Sequence, residues 1–251
     1  MRIRTVVILL GALGSTTIGR AQNPPILYAD DVIAKLTDHN SQRDKLGGGY
    51  SGSRRYVFEN QRLNKRSELL VNVKCDPDGT KHFEVVSEQG WGSANKRVLR
   101  AMLESETETS RPQVRSAISI SPENYRFEML GRDFVESRPV YVIQVLPKRE
   151  DKYLFDGRIW VDAQDFALVR AEGKPAKNPS FWTRSIHFVQ QYQKSGSFWF
   201  PFSTKSVTEA RIFGKTEVTI SYFDYQPNSP AESSQAAKSV MDQIEANYAQ
   251  N

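Results

Sequence analysis

The sequence predicts a mainly β domain in which one broad antiparallel sheet carries two amphipathic helices. Three observations point there. About ten segments alternate apolar and polar residues with period two, each bounded by Gly, Pro, Asp or Asn. Only two segments show the i, i+3, i+4 apolar spacing of a helix. The single cysteine, Cys75, excludes an intramolecular disulfide, so stability must come from a core, which about 200 ordered residues can supply. An antiparallel sheet of about ten strands is expected to curl or close rather than lie flat.

In order along the chain, residues 1–21 read as a secretory signal peptide. Arg2 and Arg4 make a charged start, an apolar run extends from Val6 to Leu13, and Gly19-Arg20-Ala21 is a small-x-small cleavage site. The run is shorter than the roughly 20 residues a membrane-spanning helix needs, so the expected product is a soluble, exported chain starting at Gln22. Cleavage removes three of the 34 Lys and Arg and none of the 29 Asp and Glu, and the formal net charge falls from +5 to +2. A near-neutral chain lacks the electrostatic footprint of a nucleic-acid binder.

Ala29, Val32, Ile33 and Leu36 then define a first helix over 29–40, with Asp30 and Asp31 at its positive end. After Gly47-Gly48-Gly49 the period changes to two, and strands are expected at 50–61, 66–75 and 80–88, the last two joined by the turn Asp76-Pro77-Asp78-Gly79. Ser93 is read as the N-cap of a second helix over 94–108, whose Val98, Leu99, Met102 and Leu103 form one stripe. Its basic residues (Lys96, Arg97, Arg100) come first and its acidic ones (Glu104, Glu106, Glu108) last, which opposes the helix dipole. Such a helix depends on tertiary contacts. Residues 111–124 form a connection with room for one helical turn, and seven further strands follow at 125–136, 139–147, 153–162, 166–173, 184–194, 198–210 and 214–225. The domain is taken as 22–227, and the polar stretch 228–251 as a disordered or weakly helical tail.

The chemistry the sequence offers is thin. Ser93-Ala94-Asn95-Lys96 has the spacing of a serine nucleophile and its lysine base, but no Lys-Thr-Gly strand accompanies it, and capping accounts for Ser93. His39, His82 and His187 lack paired ligand spacing, so no metal site is predicted. Asp162-Ala163-Gln164-Asp165 separates two strands and is read as a turn whose exposed carboxylates titrate near their ordinary values. The rival reading is an enzyme acting on an envelope polymer through those carboxylates. The aromatics are the stronger signal: Trp160, Trp182, Phe188, Tyr192 and Trp199 crowd the C-terminal half, and Phe198-Trp199-Phe200-Pro201-Phe202 presents apolar side chains to both faces of one strand. A curled sheet with two helices to fill it leaves room for an apolar cavity, and these five residues are its candidate walls.

One helix after a signal peptide, a three-strand meander, a second helix and a long antiparallel run resemble the outer-membrane lipoprotein-sorting proteins, the LolA-like superfamily. The likeness is carried by Tyr141-Val142-Ile143-Gln144-Val145-Leu146-Pro147-Lys148, Gly157-Arg158-Ile159-Trp160-Val161-Asp162, Phe198-Trp199-Phe200-Pro201 and Tyr222-Phe223-Asp224-Tyr225. The resemblance implies a half-open, eleven-stranded barrel with two helices as a lid. It implies a monomeric periplasmic carrier for lipid or lipoprotein acyl chains, meeting an envelope membrane partner protein, with no cofactor and no catalytic residues. It also implies a strand arginine that latches the lid, for which Arg54 and Arg55 are the candidates by region.

Overall fold

The computed structural model describes residues 27–46, 49–178, 183–196, 198–212 and 214–228. The expected signal peptide, the tail beyond Asn228 and Trp182 lie outside the described residues. Among those described, the chain runs α1 (Ala29–Leu46), β1 (Tyr50–Asn60), β2 (Lys65–Cys75), β3 (Lys81–Gly90), then an unbroken helical stretch. That stretch comprises α2 (Gly92–Ala94), a π-helical turn (Asn95–Leu99) and α3 (Arg100–Ser110), followed by the short α4 (Pro112–Ile118). Seven strands complete the fold: β4 (Tyr125–Val135), β5 (Arg138–Pro147), β6 (Phe155–Asp162), β7 (Leu168–Pro175), β8 (Thr183–Ser195), β9 (Phe198–Ala210) and β10 (Gly214–Pro227).

All ten strands form one antiparallel sheet in the order β3-β2-β1-β10-β9-β8-β7-β6-β5-β4. The described sheet therefore has ten strands, one fewer than the resemblance implies. β3 and β4 are consecutive in the strand sequence yet occupy opposite edges, so the helical segment between them must pass from one edge to the other. In a flat sheet those edges would stand roughly 43 Å apart at about 4.8 Å per strand. The bridge is far shorter. On one side of α4, Arg115 Nη2 donates to the carbonyl of Asp78 in the β2–β3 turn (3.0 Å). On the other, the carbonyl of Ala117 accepts from Arg149 (2.5 Å), just past β5. A helix of seven residues is about 10 Å long, so the sheet is curled into an open barrel whose mouth the helices cross.

The inner face holds two separate apolar clusters. α1 buries Val32, Ile33 and Leu36 (0–1 % exposed) against Tyr125, Tyr141, Ile143, Val145, Ile159 and Val161. Ala94, Leu99 and Leu103 pack on Tyr56, Phe58, Leu69, Val71, Val218, Ile220 and Tyr222. Between the clusters, register aligns Ile220, Thr204 and Gln190 in one row and Val218, Ser206 and Phe188 in the next. The central residues of this seam, Phe188, Gln190, Thr204 and Ser206, are half-buried.

Two expectations are corrected. Ser93 is not the N-cap: the helix starts at Gly92, and Trp91 holds the cap position without a side-chain cap bond. The cause is the junction itself, where Trp91 packs on Phe58 (centroids 6.1 Å) and Ser67 Oγ donates to the Trp91 carbonyl (3.0 Å), fixing the chain two residues earlier. The first helix runs to Leu46 rather than to residue 40, because polar residues that extend no apolar stripe still continue a nucleated helix.

Candidate functional site

The contact that holds α3 to the sheet is built around a buried cation. In β1, Gly52, Arg54, Tyr56 and Phe58 point to the inner face, since Arg54 pairs with Val71 and Tyr56 with Leu69. Arg54 is 1 % exposed. Its guanidinium lies between the rings of Phe83 (5.1 Å) and Tyr222 (4.8 Å), an arrangement that suits a flat, weakly hydrated cation. Nη1 donates to Glu106 Oε2 on α3 (2.7 Å) and to Tyr56 Oη (3.3 Å). Lys81 Nζ, at the start of β3, donates to the other oxygen of Glu106 (2.7 Å). Burial alone would raise the Glu106 carboxyl, but Lys81 and Arg54 outweigh it and hold the group at about 2. Burial would likewise lower Arg54 and Lys81, and Glu106 reverses both, so each stays charged.

The same helix end is tied by Ser110 Oγ, which accepts from the Lys81 backbone N–H (2.9 Å) and donates to the Thr107 carbonyl (2.8 Å). Arg100 pairs with Glu88 of β3, and Arg111 with Glu108 (2.9 Å). These links answer the unfavourable charge order of the helix: each end that opposes the dipole is met by an opposite charge. Arg55, the other latch candidate, points to the outer face and grips Glu68 through Nε and Nη2 (2.6 and 2.9 Å). Strand alternation could have separated the two arginines. Arg54 shares the parity of Tyr56 and Phe58, and Glu106 stands at i+7 from Leu99 and i+3 from Leu103, so both charges fall on core-facing rows.

The five aromatic candidates divide between the faces. Trp160, Trp199 and Tyr192 come together with Val140, Val142, Ala167 and Val169 in a third cluster, whose strand residues alternate with the α1-facing Ile143, Ile159 and Val161. Trp160 is capped by Arg170 (4.9 Å) and Arg158 (5.5 Å), both paired with Glu172 at 2.6 Å. Phe188 lies on the helix side, against the α1 cluster and edge-on to Phe155 (5.3 Å). The predicted apolar faces of β9 are both occupied: Trp199 belongs to the outer cluster, while Phe200 stacks on Tyr225 (4.3 Å) and meets Tyr50 (5.6 Å).

The Asp162–Asp165 stretch is a turn, but its carboxylates are neither exposed nor ordinary. Asp162 is 0 % exposed; its Oδ1 accepts from the backbone N–H of Gln164 (2.9 Å) and Asp165 (2.8 Å), and its Oδ2 from Arg138 Nε (2.6 Å). Asp165 Oδ2 accepts from Lys194 (2.7 Å), Trp199 Nε1 (3.0 Å) and Arg138 (3.2 Å). Burial pushes both carboxyls up, and these donors more than compensate, leaving both below the usual range. The correction has a plain cause: the turn folds back on β5, β8 and β9, from which the cations of Arg138 and Lys194 and the indole N–H of Trp199 converge on it. Neither carboxyl has the raised affinity for protons that a general acid needs at neutral pH.

Elsewhere, a groove of about 790 Å³ of mixed lining opens over β1–β3 and the end of β10, with Asn72, Lys74, His82, Glu84 and Phe83 among its walls. Cys75 is buried and unpaired by disulfide, and burial raises its thiol. No helix among the described residues is long and apolar enough to cross a membrane, and no cluster of metal-ligating side chains occurs among them.

The fold is similar to that of a LolA superfamily protein from Nitrosomonas europaea (TM-score 0.45, 9 % identity, covering 81 % of this chain and 95 % of that one). It is also similar to a putative outer membrane lipoprotein-sorting protein domain from Vibrio parahaemolyticus (TM-score 0.42, 12 % identity, 79 % and 92 %). A DUF1329 family protein from Desulfovibrio piger gives a TM-score of 0.42 at 10 % identity, covering 80 % and 94 %. None of the curated proteins matches the chain in sequence. The stretch 66–229, from β2 through the helical bridge to the end of β10, matches the model of a family of unknown function, DUF5686, and the chain belongs to that family.

Proposed function

We propose that the protein is a periplasmic carrier that takes acyl chains of lipids or lipoproteins between its helices and the inner face of its sheet, without covalent chemistry. One observation carries this reading: the mouth of an open, apolar-faced barrel is crossed by a helical stretch that is packed at its start, through Ala94 and Leu99, and fastened mainly by polar links at its later end. α3 buries only Leu103 and Ser110, and α4 buries no residue. Full burial of a leucine is worth roughly 2 kcal/mol, so beyond the anchor at Ala94 and Leu99 the later turns of α3 add little apolar packing, and Arg54, Lys81 and Glu106 decide whether they stay. Lifting it exposes Tyr56, Leu69, Val71, Val218 and Ile220, an aliphatic and aromatic surface suited to methylene chains. Of the aromatic candidates, Phe188 borders the seam on this side and is the proposed wall residue. Trp160, Trp199 and Tyr192 belong to the cluster on the reverse face, where arginines cover the two indoles.

The expected export fits a cargo of envelope lipids. The test is a cross-link across the mouth. Ser105 of α3 lies near Tyr153 of the β5–β6 loop, close enough to help hold its phenol below the usual value; both are changed to Cys in a Cys75→Ala background and joined with a bis-maleimide. Exchange of a fluorescent acyl probe should slow at least about tenfold in the joined protein relative to the same variant blocked singly on each thiol. Equal exchange rates would sink the lid. Absence of any probe binding in the unlinked protein would sink the carrier.

A further inference from the structure

Arg54 is only partly used by the latch. Its Nη1 serves Glu106 and Tyr56, but Nε and Nη2, both fully buried, have no hydrogen-bond partner among the described residues. These two atoms form the parallel N–H fork that Arg55 presents to Glu68 on the opposite face of the same strand, the edge of a guanidinium that matches a carboxylate or phosphate. Leaving two charged donors unsatisfied inside a protein is costly. Beside them, the hydroxyl of Tyr225 is also buried without a partner. Tyr225 belongs to this neighbourhood because its ring packs over Gly52, two residues before Arg54 on the same face, where an added Cβ would come within 3.3 Å of it. Charge agrees with the geometry. Arg54 and Lys81 face one carboxylate, Glu106, so the buried group carries one uncompensated positive charge. From Tyr225 an aromatic path continues outward through Phe200 (4.3 Å) to Phe198 (6.0 Å), with Tyr50 alongside (5.4 Å from Tyr225).

We propose that the cargo is an amphiphile with an anionic head, its carboxylate or phosphate seated on the Nε/Nη2 fork of Arg54 with the Tyr225 hydroxyl as a third donor, and its chain lying along Tyr225, Phe200 and Phe198. This rests on the carrier reading and narrows it. A ligand at the fork also touches the residue that holds Glu106, so loading and lid position share one side chain.

Calorimetry on the mature chain with decanoate, decyl phosphate and decanol tests it. The two anions should bind at least about tenfold more tightly than the alcohol, the discrimination expected of a bidentate charge-assisted pair. Arg54→Lys keeps the charge facing Glu106 but removes the fork, and should erase that preference, bringing the two anions to the affinity the same variant shows for decanol. Should that variant fail to fold, Tyr225→Phe, which deletes one hydroxyl, carries the test: decanoate should weaken about threefold or more, and decanol should not. Equal affinity for all three ligands overturns the anionic head and leaves the carrier standing. Binding of none overturns both. An anion preference that survives both variants overturns the site, and inorganic phosphate competing as tightly as decyl phosphate overturns the amphiphile in favour of a free anion.

Discussion

Glu106 and Asp162 show how a single carboxylate is committed to structure in this molecule. Glu106 is three-quarters covered and bonded to two cations. Glu106→Gln leaves Arg54 and Lys81 buried without their counter-charge, which costs about 3–5 kcal/mol when a buried pair is broken from one side. The urea midpoint should fall accordingly, and amides of α3 should exchange faster than those of β1. The pH dependence follows from the sign of the shift. A carboxyl whose folded affinity for protons is lowered, from 4.5 to about 2, stabilises the fold above its unfolded value and loses that contribution as pH falls through the interval. Stability should hold from pH 7 to about 5, then decline toward pH 2, with a shallower decline in the Gln variant. Asp162→Asn should cost about 2–3 kcal/mol through loss of Arg138 and weaker acceptance from two backbone donors. It should leave acyl-probe binding intact, because the turn serves the outer cluster. A folded Asp162→Asn protein that no longer binds probe would return a functional role to the turn.

Elements were legible in the sequence where one periodicity governed. Period-two alternation marks all ten strands because each has one face on a helix or on the Trp160 cluster, and Val32, Ile33 and Leu36 mark α1 for the same reason. What the alternation could not give was the partner of each face. Trp160 sits across the strand from Ile159 and Val161, and nothing local tells which side the helices take. The surroundings of the turn carboxylates are hidden from the local pattern on the same ground, since Arg138 and Lys194 reach them from strands far away in sequence. Close approach of β6 to β7 is a further long-range feature: Gly157 and Gly173 face each other, and a Cβ at Gly157 would press into the carbonyl of Glu172 and the Cα of Gly173. Gly157→Ala should therefore push the strands apart and cost about 2 kcal/mol or more in thermal or urea unfolding, whereas Gly92→Ala, which meets nothing within 4 Å, should be neutral or slightly stabilising through helix propensity. Equal effects of the two would show that β6 and β7 relax freely.

At the scale of the whole molecule, the order of the strands decides where the helices must run. Placing β3 and β4 at opposite edges obliges residues 91–124 to cross the open side, and no sequence pattern announces this because strand order is a property of distant pairings. The later part of the crossing segment is thinly buried: α4 has no buried residue and α3 has two, whereas Ala94 and Leu99 just before α3 are buried. α1 differs, with Val32, Ile33 and Leu36 all but inaccessible. Local opening follows buried apolar contact, so the two helices should not open together. Native-state hydrogen exchange should show α4 amides exchanging first, α3 next, and α1 with the central strands last, close to the global limit. Adding an acyl ligand should slow α3 and α4 while leaving α1 unchanged, because a chain held under the crossing helices stabilises the closed state by mass action. If α1 instead opens with α4, or is the element the ligand protects, the movable cover is the N-terminal helix, and the polar latch at Glu106 fastens a part of the barrel that never opens.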